Sequence, residues 1–133
     1  MVSGSSVIVT NVMKNIFLER AFSSSPLSGA YVSGAIGTSS GVALATDTAL
    51  GSVISGWAGG DYKGYSSGYP IFDVVNKTVQ TRMFVSSAQG NGNTISEYAD
   101  FTSTGQIGGR FTFNGIAKTS SIQIFINTKY KML

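Results

Sequence analysis

Between residues 77 and 130 polar and apolar side chains alternate with a period of two, and turn residues cut that alternation into four lengths. Val79, Thr81, Met83 and Val85 interleave with Gln80, Arg82 and Phe84, which predicts a strand over 77–87. Gly90-Asn91-Gly92-Asn93 follows, and Asn and Gly tolerate the positive φ that tight hairpins require. Residues 94–102 then return, with Ile95, Glu97, Ala99 and Phe101 predicted on one face. After Ser103-Thr104-Gly105, Ile107, Phe111 and Phe113 are predicted to share a face with Gly109. Asn114-Gly115 opens a longer connection to a last strand. That strand places Ile122, Ile124, Ile126, Thr128 and Tyr130 on one side and Gln123, Phe125 and Asn127 on the other. Four antiparallel strands with short turns predict a C-terminal meander, half of a β-sandwich.

The first half is less regular. Val7-Ile8-Val9 reads as a short strand, and Thr10 or Asn11 as the cap of a helix over about 12–21. Val12, Ile16, Phe17, Leu18 and Ala21 form its apolar side, expected to cover one open end of a sheet. No charge occurs from Ala21 to Thr46; Ser23-Ser24-Ser25-Pro26 reads as a loop and 31–36 as a strand. Asp47 is placed to cap a single helical turn. Residues 51–70 hold Trp57, Tyr62, Tyr65 and Tyr69 among six glycines, a mixture that binding loops favour. These four aromatics are a candidate interaction surface; the alternative is a loop folded back on its own sheet. A length of 133 residues suits one domain, 1–133, and the fold class is all-β with one short N-terminal helix.

The chain has no His and no Cys. Imidazole bases, thiol nucleophiles, disulfides and Cys/His zinc sites are therefore excluded, and no cofactor is expected. Charged residues are only 11%, against roughly 25% in ordinary soluble domains. The net charge of +3 comes from nine scattered Lys and Arg without a basic run, so no nucleic-acid partner is expected. Met1 to Thr10 lacks the pattern of a secretory signal, and no apolar stretch is long enough to span a bilayer. Neither export by its own signal nor membrane insertion is expected.

Glycosidase-type chemistry needs two carboxyls facing one bond, and no pair here is placed to supply them. Glu97 and Asp100 are closest in sequence, yet strand residues three apart face opposite ways. Asp61 and Asp73 have no positioned partner, and Gly90-x-Gly92 sits in a hairpin, not at a helix start. The chain is expected not to be an enzyme. Glu97 lies on a face that looks inward, where a lone carboxylate is costly. A structural ion pair with Arg82, Arg110 or Lys118 is the expected remedy, and a contact to a neighbouring subunit the alternative. Asn76-Lys77-Thr78 matches a glycosylation sequon, read as chance in a chain without a secretory signal.

Ile36-Gly37-Thr38, Thr46-Asp47-Thr48-Ala49-Leu50, Gly90-Asn91-Gly92-Asn93-Thr94-Ile95-Ser96-Glu97 and an aliphatic last strand after Lys118-Thr119 recur in a familiar order. This order resembles the N-terminal domain of phage tail-collar fibre and baseplate-associated proteins, over about residues 31–50 and 79–130. Tyr98-Ala99-Asp100-Phe101 stands where that family carries a Val-Gly-Leu-Phe-like run. The resemblance implies a non-enzymatic structural component of a tailed-virus virion, present in multiple copies in tail, baseplate or collar. Its partners would be copies of itself and other virion proteins. The alternative is a receptor- or glycan-binding module, or a capsid-decoration protein, using the 51–70 loop. Low charge points independently to association, because sheet edges are ordinarily protected by charge and 95–101 and 122–126 carry little.

Overall fold

A computed structural model describes residues 7–25 and 29–132. Its elements in chain order are β1 (Ile8–Val9), α1 (Asn11–Phe22), β2 (Tyr31–Gly37), β3 (Lys63–Gly64), β4 (Ile71–Asp73), β5 (Thr78–Val85), β6 (Thr94–Thr102), β7 (Ile107–Ala117) and β8 (Ile124–Lys131). The fold is all-β with one short helix, as the period-two alternation predicts. Two antiparallel sheets form, one ordered β1-β7-β6-β2-β3 and the other β4-β5-β8. Pro26 of the predicted Ser23–Pro26 loop lies outside the described residues.

The predicted meander is divided between the two sheets. β6 and β7 make a hairpin within the five-stranded sheet, whereas β5 and β8 pair with each other in the smaller one, Val85 opposite Ile124 and Thr78 opposite Lys131. The chain thus crosses between sheets after β5 and again after β7. Turn residues announce a reversal but not the partner of the next strand, so four strands in sequence read alike in either topology.

Two register shifts in the β6–β7 ladder, between Ile95 and Glu97 and between Ala99 and Phe101, correct the predicted faces. An extra residue in a ladder moves everything beyond it to the other face. Ile95 joins Tyr98 and Phe111 between the sheets, while Ala99 and Phe101 pack on the opposite face with Ala35, Val12 and Leu50. Ile107 likewise belongs to that opposite face and not with Phe111. In β8 the strict alternation holds: Ile124, Ile126 and Thr128 are buried and Phe125 is exposed.

The inter-sheet core joins Ile36, Ile95, Tyr98 and Phe111 to Met83, Val85, Ile124 and Ile126. Each fully buried aliphatic side chain here contributes roughly 1.5–3 kcal/mol. Thr10 caps α1: its hydroxyl accepts from Met13 N and donates to the Gly108 carbonyl, tying the helix start to β7. Met13 and Ile16 are the buried helix residues, and Phe17, Leu18 and Phe22 stay exposed, unlike the broad stripe predicted. The helix lies over the edge of the sandwich, so only a narrow band of it finds a surface to cover. Asp47 caps no helix; its carboxylate accepts from Leu44 N at 2.8 Å and closes a turn.

Candidate functional site

Two carboxylates are fully buried on adjoining stretches of β6, one on each face of the five-stranded sheet. Glu97 faces the long β2–β3 connection. It accepts hydrogen bonds from Ser39 N at 2.9 Å and from Gly51 N and Ser52 N at 2.8 Å. Arg110 on β7 donates to it through Nε at 3.2 Å and Nη2 at 3.1 Å. The same guanidinium reaches Asp47 at 2.7 Å and the carbonyls of Gly41 and Val42. Gly37 makes the approach feasible, since a Cβ there would lie 2.5 Å from the Glu97 carboxylate. This constellation pins the long connection between β2 and β3, whose 38–46 stretch carries no charge, to the sheet beneath.

Of the three cations predicted as partners for Glu97, only Arg110 pairs with it. Arg82 is directed elsewhere: its Nε donates to Asn127 and its guanidinium lies 4.9 Å from the Tyr69 ring and 5.5 Å from that of Phe125. Lys118 is buried but donates to Asn91 Oδ1 at 2.8 Å and to the Thr119 carbonyl, closing the turn region that follows β5. Burial lowers its pKa below the usual lysine value.

Asp100 faces the other sheet, so Glu97 and Asp100 do point apart as their spacing predicts. No cation accompanies Asp100 among the described residues. Its oxygens accept from Tyr98 at 2.7 Å, Tyr65 at 3.0 Å and Thr128 at 3.3 Å, and from Tyr130 in the shortest bond of the group. Thr81 stands at 3.5 Å and is itself bonded to Thr128. Donors from β5, β6, β8 and the segment after β3 therefore converge on one carboxylate and fasten the two sheets together. Gly34 and Gly109 make room for the rings, because a Cβ at either would overlap Tyr98 or Tyr130. Burial raises the Asp100 pKa above the ordinary carboxylate range, against the opposing pull of the tyrosine and threonine hydroxyls. Burial, reinforced by the Asp100 charge, likewise raises Tyr98, Tyr130 and Tyr65.

Sequence reasoning missed this cage. The available signal was Tyr98-x-Asp100 beside Thr128-x-Tyr130, two polar pairs at strand spacing on faces otherwise apolar.

The four aromatics of the 51–70 loop do not form one surface. Trp57 is buried in the inter-sheet core, its Nε1 donating to the Asp61 carbonyl. Tyr65 turns inward to Asp100. Tyr62 packs its ring 4.9 Å from Phe101, and Tyr69 holds Arg82. The loop folds back because its large rings find apolar walls on both sides of the sheet, and only Tyr62 and Tyr69 remain near solvent.

Asp61 and Asp73 fasten loops as well. Asp61 accepts from Gly56 N, and Asp73 from Val75 N and from both nitrogens of Asn76, the asparagine of the sequon. Among the described residues no cluster of acidic groups is arranged to hold a metal ion, and no helix is long and apolar enough to cross a membrane. No family model, no curated protein and no solved structure matches the chain.

Proposed function

We propose that this chain is a non-enzymatic structural subunit of a tailed-virus particle, a tail, baseplate or collar component that works through contacts between copies of itself and with other virion proteins. The observation that carries the reading is the free edge of β8. Of the two low-charge stretches read as edges, 95–101 is internal, because β6 pairs on both sides, whereas β8, eight residues long, pairs among the described residues only with β5, and its first five residues, Ile124 to Thr128, carry no charge. An edge of that length presents a row of backbone donors and acceptors for another strand, and charge is the usual protection. Phe125, exposed at 41% and stacked on Phe84, adds an apolar side chain along the same edge.

Two further features support the reading. The segments that carry the family resemblance meet in space, because Arg110 joins Asp47 to Glu97 and Glu97 holds the residues around Ser39. Both buried carboxylates are enclosed by the fold's own donors, an arrangement suited to fastening and not to turnover.

Sedimentation of the purified chain over a wide concentration series tests the proposal, alongside the double variant Phe125→Lys/Asn127→Lys. Association of the parent chain that the variant loses while still unfolding cooperatively is the expected result, with a lowered midpoint because Asn127 no longer accepts from Arg82 and Phe125 no longer stacks on Phe84. A parent chain that stays monomeric at the highest concentrations removes the self-association.

A further inference from the structure

Nine cations and six carboxylates give the chain its net charge of +3, but they are not spread evenly. Lys14, Lys77, Lys129 and Lys131, together with Asp73, line one groove of about 780 Å³ between α1 and the ends of β4, β5 and β8. These five side chains sum to +3, the whole formal charge. The other five cations are balanced by the other five carboxylates, so the rest of the molecule is formally neutral. The two lysines outside the groove, Lys63 and Lys118, are engaged with backbone carbonyls and side-chain amides. No hydrogen bond or ion pair to a described residue holds any of the four groove ammonium groups.

The floor of this groove is apolar. Phe17, Phe72, Val79 and Met132 line it, and Phe72 and Met132 are 72% and 65% exposed. Val79 and Phe72 are direct neighbours across the β4–β5 ladder, so the floor is a continuation of the small sheet's inner face. Phe17 of α1 borders this stretch of the face without closing it. Side chains of core type are therefore left open at one end of the sandwich, ringed by positive charge that Asp73 offsets only in part.

From this juxtaposition we propose that the groove seats an acidic segment of a neighbouring protein, with large apolar side chains between its carboxylates. The apolar side chains would complete the open end of the core, and the carboxylates would meet the lysines at the rim, where unlike charge speeds encounter and fixes register. A nucleic acid fits poorly, since its phosphates would lie over Phe72 and Met132 and no arginine is present to grip them. A bilayer can meet the exposed Phe72 and Met132 but not Val79, which is half-buried between Phe72 and Tyr130, whereas a peptide side chain can enter beside it. A second copy brings the same lysines to the contact and is repelled. The inference deepens the assembly reading and rests on it for the neighbour.

The test uses a labelled peptide alternating Glu with Leu and Phe, its counterpart with Gln for every Glu, phosphatidylserine vesicles and duplex DNA. Each is titrated into the isotope-labelled chain while amide shifts of Lys14, Phe17 and Phe72 are followed. The acidic peptide is expected to shift these amides, to weaken with added salt, and to bind about tenfold more weakly to Lys14→Glu/Lys131→Glu. Phe72→Ser, an exposed site that leaves the fold intact, is expected to weaken both peptides.

Equal binding of the Gln peptide overturns the proposal, as does no binding of either peptide. Vesicles or DNA binding in place of the peptide overturns it in favour of a lipid or nucleic-acid surface, and loss of self-association in Lys14→Glu/Lys131→Glu overturns it in favour of a second copy. A chain that self-associates but ignores the acidic peptide defeats the groove alone, and a monomer that binds the peptide defeats only the self-assembly.

Discussion

Glu97 and Asp100 are three residues apart on one strand, both wholly removed from solvent, and the protein accommodates them by opposite means. Glu97 meets a guanidinium and three backbone N–H groups. Asp100 meets only hydroxyls, from three tyrosines and a threonine with a second threonine at the limit of reach. The difference follows from what each face must do. On the Glu97 side a long connection with no helix or strand of its own has to be held, and a charged node with fixed geometry can hold many backbone groups at once. On the Asp100 side two sheets have to be joined, and the rings that carry the hydroxyls also fill the space between them. A buried charge thus serves either as an organiser of backbone or as the centre of an otherwise apolar interface.

Removing the cation should separate the two carboxylates most strongly. Arg110→Met keeps much of the side-chain volume but leaves Glu97 buried without its counter-charge, an arrangement that costs about 3–5 kcal/mol. Urea unfolding is expected to show a loss of that size. Amide exchange should quicken around Ser39 and Ser52 first, because their N–H groups depend on the same carboxylate.

The Asp100 side should respond next. Asp100→Ala strips the common acceptor from four or five buried hydroxyls and is expected to cost about 3 kcal/mol, since each orphaned donor carries a desolvation penalty that neighbouring hydroxyls only partly relieve. The pH dependence separates the two carboxylates more cleanly. Burial raises the Asp100 pKa, so the folded state binds this proton more tightly than the unfolded chain does. Its contribution is complete below the ordinary aspartate value and is lost as pH rises through the elevated one. Subtracting the stability profile of Asp100→Asn from that of the parent is expected to leave a term that falls with pH in that window. A difference profile that rises with pH would mean that the hydroxyls outweigh burial.

Much of this was legible in the sequence, and the limits have a physical source. β5 to β8, the Gly90–Asn93 turn and the inward side of β8 follow from alternation, which is local, whereas β3 and β4, two and three residues long, are too short to show a period and were not predicted. Glu97 was legible as buried and in need of a cation, but three were within reason, and chain order does not tell which one the ladder sets beside it. The bulges near Glu97 and Phe101 inverted faces that simple alternation assigns, because an extra residue leaves no mark in composition. The Asp100 cage draws its donors from four separate segments, and the lysines of the groove come from α1, the β4–β5 turn and β8. Such convergences belong to the topology. Trp57 and Tyr65 looked like a contact surface because glycine and serine surround them, yet large rings beside an uncovered sheet gain more by turning inward.

The smallest expected effect concerns the outer arm of the Glu97 node. Asp47 is partly exposed, with 20% of its side chain accessible, and it holds Arg110 from the solvent side at 2.7 Å. Water can replace much of what it offers, so Asp47→Asn should cost no more than about 1 kcal/mol, in the range of exposed pairs. The asparagine can still accept from Leu44 N, which keeps the turn at 44–47 and isolates the charge. If the guanidinium is fixed mainly by Glu97, the exchange rates at Gly51 and Ser52 will stay near those of the parent while global stability drops slightly. If Asp47 is instead needed to orient Arg110, those two amides will exchange faster by as much as in Arg110→Met, and the node will have to be regarded as a three-body unit whose members do not act separately.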